Sequence, residues 1–214
     1  MIKPDDVVVE VGANIGAHTV FLAQHVGPGG IILAFEPQRV IFQTLCANIA
    51  LNNLTNVACF QQALADAPGQ IVVPSLDYQA QGNFGGLALG AFVHGESVPV
   101  VTLDSLELRR CDFLKVDVEG MEQAVLQGAR QTIARLQPVL YVENDRPEKS
   151  NTLVRCIDSL GYTMYWHRPL MFNPHNFFGS PENVFGNTAS FNMLCISRSS
   201  RRQVVGLEPV SLSP

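Results

Sequence analysis

Residues 7–16 constrain the fold most, because an apolar run there ends at two glycines just before a helical pattern begins. They read Val-Val-Val-Glu-Val-Gly-Ala-Asn-Ile-Gly. A run of valines is typical of a strand covered on both faces, as parallel strands are. Gly12 and Gly16 remove side chains where the chain turns most tightly. The helix that begins near Asn14 directs backbone N–H groups at whatever lies above the turn. The segment therefore predicts a buried parallel strand that turns sharply into a helix beside a ligand.

A second acid marks the end of the next apolar run. Glu36 follows residues 31–35 and lies 20 residues after Gly16. At about this distance an acid binds the two hydroxyls of a ribose in nucleotide-binding βαβ units. We therefore expect a nucleoside-containing cofactor at the carboxyl edge of a parallel sheet.

The spacing of the glycines favours one class of nucleoside cofactor over another. Dinucleotide folds use Gly-x-Gly-x-x-Gly, so that two backbone segments can approach a pyrophosphate. In this chain Asn14 occupies the position of the second glycine, and Glu10 would repel phosphates. An acid at position 10 suits a cationic ligand with an amino group, such as S-adenosylmethionine. The alternatives are a nicotinamide-dependent oxidoreductase and a catalytically silent nucleoside-binding module.

Composition narrows the class of protein. The chain has 214 residues, of which 47% are hydrophobic and 15% charged, with a net charge of −5. These values predict one globular domain with a large core. Since no Lys/Arg cluster occurs, we expect no nucleic-acid partner, and no stretch is long and apolar enough for a membrane span. Five scattered cysteines without a Cys-x-x-Cys motif predict free thiols in a cytoplasmic protein.

Strand and helix patterns alternate along the chain, which predicts a doubly wound α/β sheet. We expect a single domain over residues 1–197 and a flexible tail over 198–214. Helices are predicted over 14–26, 38–52, 121 to about 136, and 153–160. After the first strand, further strands are predicted over 31–36, 57–61, 71–73, 98–103, 113–117 and 139–143, with a closing pair over 162–166 and 191–196.

Acidic residues cluster where the strand over 113–117 ends. Asp117, Glu119 and Glu122 fall within six residues. Carboxylates this close together are unfavourable unless something uses them. We expect Asp117 and Glu119 at the site. Glu122 is better explained as a residue of the first helical turn, where an acid complements the helix dipole.

The following strand ends in Glu143 and Asn144, which places Glu143 near Asp117 across the crevice. Asp117, Glu143 and Asn144 could bind a divalent metal, or the two carboxylates could act as a base and its hydrogen-bond partner. Asp117 is the best candidate for the base or metal-holding acid, with Glu119 and Glu143 as its partners. Two histidines are weaker candidates for the base: His18, expected to pack within the first helix, and His167, which could reach the acceptor.

These segments together resemble the FkbM family of S-adenosylmethionine-dependent methyltransferases. The resemblance covers most of residues 5–197 and rests on 7–19, 34–37, 103–106, 113–122, 141–144 and 190–196. It implies a Rossmann-like, seven-stranded methyltransferase sheet, mostly parallel with an antiparallel last strand. It also implies methyl transfer from the sulfonium to a hydroxyl, often on a sugar or a natural product.

The resemblance also bears on the site. Asp117 with Glu143 and Asn144 looks like the metal-binding trio of catechol O-methyltransferase-type enzymes, which have Asp where Glu143 stands. Many family members carry a segment before the first strand that helps cover the site. This chain begins almost on that strand, so no lid of that kind is expected. Of the candidate cofactor-binding residues, Glu36 is expected at the ribose, Glu10, Gly12 and Asn14 around the methionine end, and Ala63 against the adenine. The other candidates are Ala13, Gly16, Pro37 and Asp117.

Two irregular segments, 77–97 and 167–190, are long for a compact domain and are expected to form the acceptor wall. Amides beside aromatic rings suit a polyhydroxylated, uncharged small molecule such as a sugar. The alternative for the aromatic residues is that they anchor the segments to the core. The residues concerned are Tyr78, Gln79, Gln81, Asn83 and Phe84 in the first segment, and Trp166, His167, Arg168, Asn173, Asn176, Phe177, Phe178 and Asn183 in or beside the second.

Overall fold

The predicted alternation of strands and helices is present in the computed structural model, which describes residues 1–77, 79, 84–87, 90, 92–176 and 178–211. The first part of the chain forms β1 (Val7–Val11), α1 (Ala17–Val26), β2 (Ile31–Phe35), α2 (Arg39–Leu51), β3 (Val57–Phe60), β4 (Ala63–Leu64), β5 (Gly69–Val73) and β6 (Glu96–Val101). The second part forms β7 (Phe113–Val116), α3 (Glu122–Gln127), α4 (Arg130–Leu136), β8 (Val139–Glu143), α5 (Pro147–Ser159), β9 (Tyr162–His167), β10 (Asn192–Ser197) and β11 (Glu208–Pro209).

Eight of these strands form the central sheet, in the order β11-β9-β10-β8-β7-β1-β2-β3. Strands β8, β7, β1, β2 and β3 are parallel. Strand β10 runs antiparallel to both β8 and β9, as expected for the closing pair. The mostly parallel sheet with an antiparallel closing strand is confirmed, with eight strands instead of seven because β11 adds to the edge. Strands β4, β6 and β5 form a separate small sheet.

The valines of β1 are buried on both faces of the sheet. Val8 packs on one face with residues of α1 and α2, such as Leu22 and Leu45. Val9 packs on the other face with residues of α3, α4 and α5, such as Val125. Helices therefore cover both faces, which is the doubly wound arrangement that continuous apolar strands require.

The single helix predicted from residue 121 to about 136 is wrong, because α3 and α4 are separate helices around Gly128. A Cβ atom at Gly128 would lie 1.9 Å from the Ala65 carbonyl oxygen, so the backbones approach too closely for any other residue. The Gly128 carbonyl accepts the Asp104 N–H, and the Asp104 carboxylate accepts the N–H groups of Gln131 and Thr132. A contact from outside the helix thus ends α3, and an acid caps the start of α4.

Part of the segment after Ser197, for which the sequence predicts a flexible tail, pairs with the sheet. Strand β11 lies antiparallel to β9, and the Val210 N–H donates to the Met164 carbonyl. Val204 and Leu207 pack against the apolar cluster under α1 and α2. Backbone pairing and apolar contact therefore hold residues 204–210 in place.

Among the helices of the described residues, none is long and apolar enough to cross a lipid bilayer.

Candidate active site

A cavity of about 760 Å³ opens at the carboxyl ends of β1, β2, β7 and β8. It lies where the chain order of the strands reverses direction between β1 and β7, which is the usual ligand site of such sheets. Its described lining includes Val11, Gly12, Ala13, Asn14, His18, Phe35, Glu36, Pro37, Ala63, Lys115, Asp117, Glu119, Tyr141, Glu143 and Asn192.

The turn between β1 and α1 needs both of its glycines. Gly12 has φ +81°, and a Cβ atom there would lie 1.8 Å from the Asp117 carbonyl oxygen. Gly16 has φ +89°, and a Cβ atom there would lie 2.7 Å from Leu45 Cδ1. Asn14 also adopts a left-handed conformation, which asparagine tolerates better than most residues. The turn is therefore tight, as predicted, although Gly16 shapes it from outside the cavity lining.

Glu36 is held in one orientation at the cavity wall. Its Oε2 accepts the Asn14 N–H at 3.0 Å, and its Oε1 accepts the Gln38 N–H at 2.9 Å. Only 5% of the residue is exposed. Burial raises the pKa of Glu36 to about 7, although the two N–H donors favour the ionised form. The predicted ribose acid is thus fixed by backbone contacts, and Pro37 and Ala63 line the cavity with it.

Glu10 does not line the cavity; it lies behind Lys115, which does. The β1–β7 register places these two residues side by side. Glu10 is fully buried, accepts a hydrogen bond from Thr19 Oγ1 at 2.6 Å, and has Oε1 3.7 Å from Lys115 Nζ. Lys115 Nζ also lies 2.9 Å from Asp117 Oδ2. Glu10 therefore contacts the site through Lys115, instead of surrounding a methionine end as the sequence predicts.

Sequence reasoning missed Lys115, although one signal was available. A lysine inside an otherwise apolar parallel strand needs a buried partner. Burial would lower the pKa of Lys115, but the carboxylates of Asp117 and Glu10 outweigh it and raise the pKa. Lys115 is therefore a buried cation held between two acids.

The structure brings Glu143 next to Asp117, as predicted. Burial raises the pKa of Glu143 to about 9, and the Asp117 carboxylate, in hydrogen-bond contact with it, adds to the shift. Two carboxyl groups in hydrogen-bond contact resist losing both protons, which favours the protonated form of Glu143. The side chain of Asp117 is 31% exposed, so a ligand in the cavity can reach it. The pair therefore places a carboxyl group that a ligand can reach beside one whose protonated form is favoured.

The donor set of the predicted metal trio does not fit a metal ion. Asn144 is absent from the cavity lining, and its Nδ2 donates to Met193 Sδ at 3.3 Å. Lys115 already supplies positive charge to Asp117. Among the described residues, oxygens of Glu119, Glu143 and Asp145 lie within 4.8 Å of one another.

Arg146 already pairs with two of these three acids, Glu119 and Asp145. Its Nη2 lies 2.5 Å from Glu119 Oε2, and its Nε lies 3.5 Å from Asp145 Oδ1. Glu119 lines the cavity as predicted, in an ion pair with Arg146.

The remaining polar candidates occupy different places. His18 lines the cavity instead of packing within the first helix. Partial desolvation at the cavity wall and the Lys115 ammonium lower its pKa. The ring of His167 is paired with the Tyr141 hydroxyl, with Nδ1 at 2.7 Å. Glu122 accepts the N–H groups of Val118 and Gly120, so it orders the start of α3, in line with the structural role expected for it.

Both irregular segments contribute to the cavity wall. Phe84 and Leu87 come from the first, and Pro169, Leu170, Met171 and Ser190 from the second. Several other predicted acceptor residues do not line the cavity: Gln79, Asn173, Asn176 and Asn183 hydrogen-bond within their own segments, and Arg168 lies over the Trp166 ring. Tyr78, Gln81, Asn83 and Phe177 lie outside the described residues.

Comparison with known proteins identifies relatives of this chain. A model of the methyltransferase FkbM domain matches residues 10–164. The chain is 33% identical over 148 residues to Methyltransferase 1 of Beauveria bassiana (strain ARSEF 2860), covering 58% of this chain and 59% of that protein. It is 30% identical over 173 residues to Methyltransferase sdnD of Sordaria araneosa, covering 65% of this chain and 66% of that protein. The chain thus spans less than two thirds of the length of both relatives.

A solved structure agrees with the fold. The methyltransferase FkbM from Methylobacillus flagellatus KT superposes with a TM-score of 0.61, covering 91% of this chain and 44% of that one. The two sequences are 16% identical, so this structural similarity supports the fold alone.

Proposed function

The chain belongs to the FkbM methyltransferase family, and we propose that it is an S-adenosylmethionine-dependent O-methyltransferase. Its acceptor is a hydroxyl of a small molecule, a sugar or a glycosylated natural product. One observation carries the proposal: the same cavity holds a fixed carboxylate suited to a ribose, Glu36, and a proton-accepting pair, Asp117 and Glu143.

The residues at the end of β1 and β2 fit the cofactor. Each oxygen of Glu36 accepts one backbone N–H and keeps capacity for a ribose hydroxyl. Gly12 and Ala13 allow the backbone to approach the methionine end closely. Pro37 and Ala63 offer apolar surface for an adenine. A cavity of about 760 Å³ lies within the size range of small-molecule and cofactor sites.

The chemistry assigned to the chain's own residues is proton removal and orientation. The bound cofactor supplies an electrophilic methyl group on a sulfonium. Asp117 would accept the proton that the acceptor hydroxyl loses on methylation. Lys115 holds Oδ2 of Asp117 and keeps the carboxylate in place. Glu143 and Glu119 line the same cavity and contribute to the electric field at Asp117.

A calorimetric titration with S-adenosylmethionine tests the cofactor site. Glu36→Ala removes the acceptor of the ribose hydrogen bonds, so we expect affinity to fall by more than about 1.5 kcal/mol, or over tenfold. Glu148→Ala, at an exposed acid of α5 outside the cavity, is the matched control and should bind like the wild type. Two results would contradict the proposal: an unchanged affinity of Glu36→Ala for S-adenosylmethionine, or a wild-type protein that binds NAD and not S-adenosylmethionine.

A further inference from the structure

One wall of the cavity is apolar and open to solvent. Leu170 and Met171 both line the cavity, yet they are 59% and 51% exposed. Pro169, also exposed, and the half-buried Leu87 line the cavity with them. We call these four residues the apolar rim. A ligand that covers large apolar side chains at the mouth of a cavity removes them from water, which favours its binding.

Backbone pairing holds three of the four rim residues, Pro169, Leu170 and Met171, at the cavity. Leu170 forms an antiparallel bridge with Ala189. The Met171 N–H donates to the Thr188 carbonyl at 2.9 Å, and the Ser190 N–H donates to the Pro169 carbonyl at 3.0 Å. The apolar side chains are therefore presented to the cavity by a paired segment, and a ligand that covers them need not order the backbone first.

The charges of the cavity limit what can lie on the rim. The described lining contains four carboxyl residues, Glu36, Asp117, Glu119 and Glu143. Lys115 is the one lysine or arginine in that lining, and it is already paired with Asp117. An anionic ligand would meet no cation without a partner among these residues. The complementary ligand carries no negative charge near Asp117 and is apolar where it meets Leu170 and Met171.

We propose that the methyl acceptor is an amphiphilic small molecule, with a neutral hydroxylated end at Asp117 and an apolar body lying on the apolar rim. This inference rests on the proposed function and names the substrate class of the same site.

Binding of alkyl glucosides to the protein saturated with S-adenosylhomocysteine tests the inference. Methyl, hexyl and octyl β-glucoside share one neutral hydroxylated head and differ in apolar length; each is used below its micelle concentration. Because buried methylene groups favour binding, we expect octyl glucoside to bind at least about tenfold more tightly than methyl glucoside. The double variant Leu170→Gln/Met171→Gln should lose most of this dependence on chain length. Leu51→Gln, at a 79% exposed leucine of α2 outside the cavity lining, should keep it.

The outcomes separate the two proposals. Failure of S-adenosylhomocysteine itself to bind would overturn the proposed function and this inference with it. Binding of S-adenosylhomocysteine with equal affinity for all three glucosides would overturn the inference alone, as would a chain-length effect that survives the double variant. Self-association or liposome binding that disappears in the double variant, without a chain-length effect, would assign the rim to a protein or lipid partner instead.

Discussion

At the scale of single residues, Asp117 is the group on which the proposed chemistry depends. It is reachable from the cavity and its Oδ2 is held by Lys115. Asp117→Asn keeps the shape but removes the proton acceptor, so we expect methyl transfer to fall about 100-fold or more. Transfer of labelled methyl to a panel of hydroxylated acceptors measures this, with circular dichroism to check the fold. Turnover near the wild-type rate would remove Asp117 from this role.

Glu143 makes a second residue-scale prediction, about pH. Its pKa is raised to about 9 in the fold, mainly by burial, so the folded state binds more protons than the unfolded state above the ordinary value of 4.5. Stability contributed by the protonated group is therefore present at low pH and lost as the pH rises towards 9. Glu143→Gln removes this loss. We expect the Tm of Glu143→Gln minus the Tm of the wild type to increase between pH 5 and pH 8.5. A difference that stays constant with pH would refute the raised pKa of Glu143.

At the scale of elements, the turn between β1 and α1 depends on close approach as well as on φ. Gly12 (φ +81°) and Gly161 (φ +83°) share a left-handed conformation, but only Gly12 has neighbours within 4 Å of an added Cβ. Gly161→Ala should cost about 1–2 kcal/mol of backbone strain. Gly12→Ala should cost clearly more and displace Asp117. Urea unfolding of the two variants measures the difference, and equal losses would show that strain alone matters.

At the scale of the whole molecule, the last described residues complete the edge of the sheet and part of the core. Val204, Leu207 and Val210 are half-buried against the main apolar clusters. Ending the chain after residue 203 should destabilise the fold by about 1–3 kcal/mol, because these contacts and the β11 pairing are lost. Thermal unfolding tests this; an unchanged Tm would mean that the segment is the flexible tail that its sequence predicts.

Local patterns in the sequence determined the alternation of strands and helices, the tight turn at Gly12 and the acid at Glu36. These features depend on periodicity and on spacings within one βαβ unit, and a linear sequence carries both. The same spacing led to the S-adenosylmethionine proposal, and family membership favours it over a nicotinamide-dependent oxidoreductase.

Only the tertiary structure decided which acids meet which partners. The β1–β7 register places Glu10 behind Lys115, and Arg146 compensates Glu119 and Asp145. The approach of Ala65 to Gly128 divides a helix that looks continuous in sequence. Each outcome arises from contacts between segments distant in the chain, together with burial that changes the energy of a charge. Residue propensities and spacings predict neither these contacts nor the effect of burial, because the partners meet only when the sheet has formed.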